Sequence, residues 1–389
     1  MTVSLLWWLV GGACALYGIG MAALAYGRMR SARALSDRAL PNQISVVVPA
    51  RNEAEALPAC LDALQNQTLP DHTTLEIIVV DDQSNDATFV RAQRRLRTAV
   101  SVGDDEPSAN TAALHQTHRL PDAWGAGKEA AVAYGAAQAT ADVVLVVDAD
   151  CVPPDTWAAT LARACTANTP LVCGPVRYDV DAERWLERFQ ALEFLGLNAY
   201  GAGTAGLGVP TICNGGNMAV HRSLMEALPD EQRTAHLAAD ELLLQHVAYQ
   251  TNKQVRYLWQ RAACVTTAPA PSWQAFWQQR KRWAHAMRSY HRTPWFFSIG
   301  IFGVHAVLLA ACVIGLSDPN ALSQPAVTGL LAKMGADLLL VLPASHTVEH
   351  RDLMRSYIPA SLLQLIYVVG AGLHGVFGAV QWKGRTVSE

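Results

Sequence analysis

Three short apolar runs, each ending in charged or polar residues, constrain the fold of this chain more than any other feature. The runs are ISVVV (44–48), LEIIVVDD (75–82) and DVVLVVDAD (142–150), and segments with helical spacing follow them or lie between them at 53–65, 86–98 and 128–140. Continuous β-branched runs that alternate with helices are typical of a parallel sheet covered on both faces. The carboxyl ends of such strands lie at one edge, where ligands bind. We therefore expect a ligand site formed by Arg51-Asn52-Glu53, Asp81-Asp82 and Asp148-Ala149-Asp150.

The third strand end has the chemistry of a metal site. Asp148 and Asp150 are two residues apart on an extended segment, so their carboxylates point the same way. With a phosphate they suit Mg²⁺ or Mn²⁺, which favour oxygen ligands and keep some bound water. Cys151 is a poor ligand for such a cation and is interpreted as a packing residue, and Pro153-Pro154 ends the strand.

Long segments with few charges predict attachment to a membrane. Residues 5–26 carry no charge and precede four arginines, at positions 28, 30, 33 and 38, which predicts a retained span whose following domain is cytoplasmic. Residues 295–316 and 358–382 are also long enough to cross. Residues 325–344 contain Lys333 and Asp337, which are four apart and could pair on a helix, so a third C-terminal span and a re-entrant helix both remain open.

The predicted organisation is therefore an N-terminal span (1–30), a cytoplasmic α/β domain (40–292) and a C-terminal membrane region with two or three spans (293–389). Eight cysteines without metal-ligand spacing are expected to be reduced, buried thiols. The net charge of −3 gives no reason to expect nucleic acid as a partner. The segment DAWGAGKE (122–129) lacks the first glycine and the Ser or Thr of a phosphate-binding P-loop, which excludes that motif.

Six blocks of sequence resemble glycosyltransferase family 2 in their order along the chain. They are VVVPARNEAEALPACLDAL (46–64), IIVVDDQSND (77–86), GKEAAVAYG (127–135), DADCVPPDTW (148–157), CNGGNMAVHRSL (213–224) and QRKRW (279–283), and together they span about residues 44–291. The last block resembles the QxxRW motif of membrane-attached members. The resemblance implies a GT-A type α/β fold, with a mostly parallel sheet between two layers of helices, flanked here by N- and C-terminal transmembrane helices.

The resemblance also implies roles for individual residues. The first strand end would bind the nucleotide of the donor, Asp82 would accept a hydrogen bond from the uracil ring, and Lys128 would lie near the donor phosphate or sugar, although Lys128 also reads as a solvated helix start. Asp148 and Asp150 would hold the metal on the diphosphate, and the NGGN turn would approach a sugar. The residues of the first strand end are Pro49, Ala50, Arg51, Asn52 and Glu53, and those of the turn are Gly215, Gly216 and Asn217. The QxxRW residues Gln279, Arg282 and Trp283 would close over the diphosphate of the donor and frame the acceptor channel. Read without the family, Arg280 and Lys281 beside this last motif would be positive-inside membrane anchors.

The catalytic base is where the sequence departs from the family pattern. Members carry Glu-Asp or Asp-Asp before an apolar helix, whereas this chain has Asp240-Glu241 in LAADELLLQHV (237–247). Aligning the downstream leucines assigns the base to Glu241, and a shift of one residue assigns it to Asp240. Either carboxylate can accept a proton from an acceptor hydroxyl, and Asp240 could equally be a helix N-cap.

The hypothesis that follows is an inverting, metal-dependent hexosyltransferase. It would move a sugar from a UDP-sugar to a hydroxyl of a lipid acceptor at the cytoplasmic face of the inner (cell) membrane, in a multi-pass protein. A processive polysaccharide synthase is the alternative, and a non-catalytic membrane scaffold that binds sugar nucleotides is a second. The sugar, the acceptor lipid and the oligomeric state stay open.

Overall fold

The structure is a computed structural model that describes residues 3–33, 38–98, 115–181, 183–227, 240–286, 290–317, 323–377, 380–382 and 385–387. The chain forms two compact units. One, here called the α/β unit, consists of Ser31–Arg177 and Pro210–Ala268. The other, here called the helical unit, consists of Met1–Arg30, Tyr178–Val209 and Pro269–Glu389. The structure thus groups residues 178–209 and 269–292 with the membrane-type helices, whereas the sequence assigned them to the α/β domain.

The α/β unit is built on a seven-stranded sheet with the order β3-β2-β1-β4-β7-β5-β8. Its strands are β1 (Gln43–Ala50), β2 (Thr74–Asp81), β3 (Gln116–Arg119), β4 (Val143–Val147), β5 (Leu171–Cys173), β7 (Asn217–His221) and β8 (Val255–Tyr257). Strands β1 to β4 pair in parallel, and β7 runs antiparallel to both β4 and β5. Short strands β6 (Val176–Tyr178) and β9 (Val265–Thr267) form a separate two-stranded sheet. The predicted mostly parallel α/β fold is confirmed.

The sequence explains why the central strands are buried. Val46, Val47 and Val48 of β1 are fully buried, and no residue of β4 is more than 4% exposed, as expected for strands covered on both faces. The covering helices include α2 (Leu57–Gln65), α3 (Thr88–Thr98), α4 (Lys128–Gln138), α5 (Trp157–Ala164), α7 (Arg222–Ala227) and α8 (Asp240–Gln250). Helix α2 begins four residues later than predicted, because Pro58 is accommodated in the first turn of a helix.

The helical unit contains α1 (Val3–Ser31) up to Arg30, α6 (Trp185–Gly206), α9 (Trp273–Ala286), α10 (Arg292–Ser317), α11 (Ser323–Thr347) and α12 (Tyr357–Phe377). Among the described residues, four helices are long and apolar enough to cross a membrane: Leu6–Ser31, Arg292–Leu316, Gln324–Thr347 and Arg351–His374. The last candidate begins and ends several residues earlier than the predicted span 358–382, and residues 380–382 form β10 (Val380–Trp382), which pairs antiparallel with β11 (Arg385–Val387).

The charges inside α11 pair as the sequence predicted. Lys333 and Asp337 form a 2.8 Å ion pair between Nζ and Oδ2, and Lys333 is fully buried. The Tyr17 hydroxyl of α1 donates to Asp337 Oδ1 at 2.7 Å, and Lys333 Nζ donates to Gln364 Oε1 of α12 at 2.5 Å. Polar groups of three helices therefore satisfy the two charges, which lets an apolar helix carry them.

Candidate active site

The strand register brings the predicted site residues of the α/β unit to one edge of the sheet. Ala50 pairs with Asp81 at the ends of β1 and β2, and Val147 at the end of β4 pairs with Asn217 at the start of the antiparallel β7. The loops after β1, β2 and β4 and the turn before β7 therefore lie side by side. A turn that precedes an antiparallel strand reaches the same edge as the loops that follow parallel ones.

Lys128 and Asp148 form the centre of this edge. Lys128 is the first residue of α4, and its Nζ lies 2.6 Å from Asp148 Oδ1 and 2.8 Å from Oδ2. Both side chains are about one third exposed. Burial alone would lower the pKa of the Lys128 ammonium, but the carboxylates of Asp148 and Asp240 outweigh it and raise the pKa above its usual range. Lys128 is therefore a fixed positive charge beside the acidic cluster, and not a freely solvated helix start.

The donor atoms at the end of β4 fit a hard divalent cation. Ligand atoms of Asp148, Asp150 and Cys151 all lie within 4.8 Å of one another. Burial raises the pKa of the Asp150 carboxyl and the Asp148 carboxylate raises it further, so the pair holds an excess of negative charge that a cation would relieve. Burial and then the Asp150 and Asp148 carboxylates hold the pKa of the Cys151 thiol well above its usual range. The neutral thiol is a poor ligand for Mg²⁺ or Mn²⁺, so the two carboxylates are the candidate ligands.

Two glycines before β7 allow carboxylates to approach the backbone. A Cβ at Gly216 would lie 2.6 Å from Asp148 Oδ2, and a Cβ at Gly215 would meet the Asp240 carboxylate. The Gly215 N–H donates to Asp240 Oδ2 at 2.5 Å. Glycine at these two positions lets the Asp148 and Asp240 carboxylates lie against the backbone, and a Cβ at either position would force the carboxylate or the turn to move.

Asn217 corrects one sequence prediction. It was expected to contact an acceptor or a sugar, but its side chain is fully buried. Its Nδ2 donates to the carbonyls of Pro175 and Ala263, both at 2.7 Å, and its Oδ1 accepts from Trp157 Nε1 at 2.8 Å. Both N–H groups of this buried amide and its oxygen bond to other parts of the fold, so we assign Asn217 a structural role.

Asp240 and Glu241, the two candidate bases at the start of α8, differ in their contacts. Asp240 accepts two backbone N–H groups, from Gly215 and from Glu241, the latter at 3.0 Å through Oδ1. This arrangement fixes the Asp240 carboxylate near the glycine turn and within electrostatic reach of Lys128. Glu241 follows it on the first turn of the helix and is half-buried. The assignment of the base between these two residues stays a prediction.

The ends of β1 and β2 form a second, mostly buried acidic region. Arg51 Nη1 lies 3.0 Å from Asp82 Oδ2, and Asp82 is 1% exposed. Asp82 Oδ1 and both carboxylate oxygens of the fully buried Asp81 have no hydrogen-bond partner among the residues the structure describes. Buried carboxylate oxygens without donors are costly. The region therefore has unused acceptor capacity, which a ligand with N–H or O–H groups would satisfy.

The other residues at the end of β1 contribute to the loop that follows this strand in different ways. Pro49 and Ala50 are buried in the last two positions of β1, and the Ala50 carbonyl accepts the Asp82 N–H at 2.8 Å, so we assign them to the support of the loop. Asn52 has a positive φ of 54° and accepts the Asn85 N–H at 2.8 Å. The Glu53 N–H donates to Thr88 Oγ1 at 2.8 Å. Residues 51–53 are therefore the exposed or half-exposed part of this end.

The QxxRW residues lie on α9 of the helical unit. Gln279 Oε1 accepts from Arg280, and the indole of Trp283 stacks on Phe194 of α6 with ring centroids 5.7 Å apart. Arg282 is half-buried on the same helix. Arg280 was expected to be a membrane anchor on the basis of charge alone, and this was wrong: it is 3% exposed and ion-paired with Glu193 of α6.

Sequence reasoning assigned no role to Glu193 or Tyr367. A glutamate within the apolar helix sequence WLERFQALEFLG was a usable signal, because a buried charge requires a partner. Its partner Arg280 is 87 residues away along the chain, so no local pattern links the two.

Two family models match most of the chain between them. Residues 45–228 match the model described as "Glycosyl transferase family 2", and residues 143–344 match the model described as "Glycosyl transferase family group 2". The probable glycosyltransferase YdaM of Bacillus subtilis is 29% identical over 249 residues, which are 62% of this chain and 54% of that protein. The 4,4'-diaponeurosporenoate glycosyltransferase of Staphylococcus haemolyticus is 35% identical over 107 residues, 28% of this chain and 24% of that protein. The matched part thus spans about half of the first relative and a quarter of the second.

A solved structure shares the fold along nearly the full length of both chains. The mannosyltransferase PcManGT from Pyrobaculum calidifontis, solved in complex with GDP-Man and Mn²⁺, aligns with a TM-score of 0.55 at 20% sequence identity. The alignment covers 96% of this chain and 99% of that chain. At this identity the likeness concerns the arrangement of helices and strands.

Proposed function

The chain belongs to glycosyltransferase family 2, and on that premise we propose that it transfers a sugar, with inversion, from a nucleotide donor of the UDP-sugar class to a hydroxyl of a lipid acceptor. The observation that carries the proposal is the cluster of Asp148, Asp150 and Lys128 beside the glycine turn before β7. A cluster of acids with one fixed ammonium suits a diphosphate bound together with a cation, since each charge of the ligand meets its opposite.

The donor nucleotide would lie along the edge formed by β1 and β2. Asp82 and Asp81 have carboxylate oxygens without donors, and the imide N–H of uracil is a donor that would satisfy one of them. Arg51 fixes the Asp82 carboxylate from the other side. PcManGT was solved with GDP-Man, whose guanine also offers N–H groups to a carboxylate, so the donor panel of the test below includes both nucleotides.

Asp148 and Asp150 would hold Mg²⁺ or Mn²⁺ on the diphosphate, and when bound the cation would neutralise negative charge on the leaving nucleotide. Lys128 would add a second positive charge, and its ion pair with Asp148 holds it in place before the donor binds. Glycines 215 and 216 would let the Asp240 and Asp148 carboxylates lie against the turn before β7, beside the sugar. The chain thereby positions a donor whose leaving group is already good.

Glu241 or Asp240 would act as the general base. The bond between the anomeric carbon and the diphosphate oxygen breaks, the acceptor oxygen bonds to the opposite face of that carbon, and the hydroxyl proton passes to the carboxylate. Asp240 already accepts two backbone N–H groups, which favours a positioning role for it and leaves the half-buried Glu241 as the base. This agrees with the alignment of the leucines.

A lipid acceptor and a multi-pass location in the cell membrane, with the α/β unit cytoplasmic, are proposed from the apolar helices. Four candidate spans place the chain at the surface where lipids are available. One relative is named for glycosylating 4,4'-diaponeurosporenoate. The arginines that follow the first span favour a cytoplasmic α/β unit.

The test is an assay of the purified protein with a panel of UDP- and GDP-sugars, Mn²⁺ or Mg²⁺, and a membrane lipid extract. We expect one new lipid mass that exceeds a parent lipid by one sugar residue, and an anomeric configuration opposite to that of the donor by NMR. A ladder of masses would favour a processive synthase instead. Nucleotide binding without any product, under conditions where a known family member turns over, would favour a non-catalytic scaffold.

A further inference from the structure

A buried ionic network joins three helices of the helical unit. Arg280 of α9 donates through Nε to Glu193 Oε2 of α6 at 3.1 Å, and its Nη2 also donates to the same oxygen. The Tyr367 hydroxyl of α12 donates to Glu193 Oε1 at 2.5 Å. The side chains of Arg280 and Glu193 are only 3% and 4% exposed.

Both charged groups of the network have partners, which explains why the fold tolerates two buried charges there. Each oxygen of Glu193 receives at least one donor, and the Arg280 guanidinium lies over the rings of Phe276 and Trp283, at 4.5 Å and 4.2 Å from the ring centroids. Cation–π contacts and paired hydrogen bonds together offset the cost of removing both charges from water. Removal of one partner would leave the other charge buried and unpaired.

Arg280 also contacts two residues of the QxxRW motif directly. Its Nη1 donates to Gln279 Oε1 at 2.6 Å, and its guanidinium is held against the indole of Trp283. Since arginine has only donors, this bond fixes which end of the Gln279 amide faces Arg280: the carbonyl oxygen does, and the NH₂ end is directed elsewhere. The Trp283 ring is held from its own side by Phe194, which lies one residue after Glu193.

We propose that Glu193, Arg280 and Tyr367 form a positioning network that holds the Gln279 amide and the Trp283 ring in the orientation required for substrate. The proposal rests on the proposed function and on the donor-binding role that the family resemblance implies for Gln279 and Trp283. None of the three members needs to touch substrate. Because Tyr367 lies on a candidate membrane span, the network also links the motif helix to a helix that lipid would contact.

The test is a double-mutant cycle measured in detergent or nanodiscs. Glu193→Gln keeps the size of the side chain and removes its charge, and it is compared in the wild-type background and in a Gln279→Ala background. If Glu193 acts through Arg280 on Gln279, its substitution should lower kcat about 10-fold in the first background and less than about twofold in the second. An equal loss in both backgrounds would show a purely structural role and overturn the proposal.

Glu187→Gln is the matched control. It is the same chemical change on the same helix and weakens the 2.6 Å ion pair with Arg184, whose side chain is 69% exposed, while the amide oxygen can take the place of Glu187 Oε2 and still accept the Asp181 N–H. We expect its kcat and KM to equal those of the wild type. Where Glu193→Gln lowers the yield of folded protein, Tyr367→Phe replaces it, since it removes one hydrogen bond and keeps both charges.

A second measurement needs no turnover. With 5-fluorotryptophan incorporated, the ¹⁹F resonance of Trp283, assigned through Trp283→Phe, should shift in Glu193→Gln and in Tyr367→Phe but not in Glu187→Gln. An unchanged Trp283 resonance in both network variants would overturn the proposal. A wild-type protein that transfers no sugar would overturn the proposed function alone, because the resonance test does not depend on a donor.

Discussion

At the scale of single residues, the candidate site depends on the charge of two carboxylates at the end of β4. Asp150→Asn keeps the shape of the side chain and removes one negative ligand, so we expect the affinity for Mn²⁺ to fall and sugar transfer to decrease at least about 100-fold. The thermal unfolding midpoint should stay within a few degrees of the wild type. Mn²⁺ binding is measured by electron paramagnetic resonance, and transfer by the lipid assay.

Asp142→Asn is the control for this prediction. It is the same change just before the other end of β4, where the carboxylate is 78% exposed and 3.8 Å from Arg222. Wild-type Mn²⁺ affinity in Asp150→Asn would contradict the assignment of the metal to this strand end.

Gly216 is expected to be as important as the acids, for a steric reason. In Gly216→Ala the new methyl group would lie 2.6 Å from Asp148 Oδ2, so either the carboxylate or the turn has to move. We expect weaker binding of the donor and of Mn²⁺, with little change in stability. Gly196→Ala, whose Cβ would lie at an ordinary 3.9 Å from Val341 Cγ2, serves as control. The affinity of each variant for the donor is measured by calorimetry. Equal affinities of Gly216→Ala and Gly196→Ala would rule out the steric argument.

The two acids of α8 should separate when each is changed to its amide. Glu241→Gln is expected to lower kcat by roughly 10²–10⁴-fold with nearly unchanged nucleotide affinity, since a base touches the acceptor and not the nucleotide. Asp240→Asn should retain measurable turnover but bind the donor more weakly, because Asp240 fixes the Gly215 N–H and contributes to the field at Lys128. The reverse ranking of kcat would assign the base to Asp240.

The sequence placed Asp148 and Asp150 correctly after a buried strand, because an unbroken apolar run that ends in acids marks the end of a central strand without knowledge of distant contacts. The strand itself ends at Val147, so both acids lie in the loop that follows it, and their role as metal ligands stays a prediction. Asn217 and Arg280 were misjudged because their partners are remote: the amide of Asn217 bonds to Pro175 and Ala263, and Arg280 pairs with Glu193. A polar residue looks available in a sequence whenever the group that satisfies it is far away along the chain.

At the scale of whole elements, α11 is the helix that the sequence left undecided. Its length and apolar composition are those of a span, and its two charges neutralise each other inside the helical unit. The element was ambiguous from sequence because the cost of a charge in a membrane depends on partners from other helices, here Tyr17 and Gln364.

This ion pair gives a prediction about the stability of the bundle. Asp337→Asn would leave Lys333 buried without its counter-ion, which costs about 3–5 kcal/mol, so the unfolding midpoint in detergent should fall clearly. The double variant Lys333→Met with Asp337→Leu should recover most of this loss, because apolar residues of similar size often replace a buried pair at little cost. A double variant as unstable as the single one would show that the pair together with its hydrogen bonds to Tyr17 and Gln364, and not only the neutralisation of an orphaned charge, stabilises the bundle.

At the scale of the whole molecule, we predict the orientation in the membrane from the distribution of charge. Arg30, Arg33 and Arg38 are exposed after the first candidate span, and Arg292 is exposed at the start of the second. Exposed arginines near span ends are retained in the cytoplasm. The α/β unit between these spans should therefore be cytoplasmic, where nucleotide sugars are available.

The corresponding prediction is a labelling pattern with a membrane-impermeant maleimide. A cysteine introduced at His72, which is exposed in the α/β unit, should react in inverted vesicles and not in intact cells. A cysteine at Leu316, which is 84% exposed near the end of α10, should react only in intact cells, since α10 would carry the chain to the opposite side. The natural cysteines are all free, and the wild type measures their background: six are buried, while Cys14 and Cys312 lie within candidate spans. Labelling of both introduced cysteines from the same side would exclude α10 as a span, and labelling of position 72 only in intact cells would reverse the orientation of the whole chain.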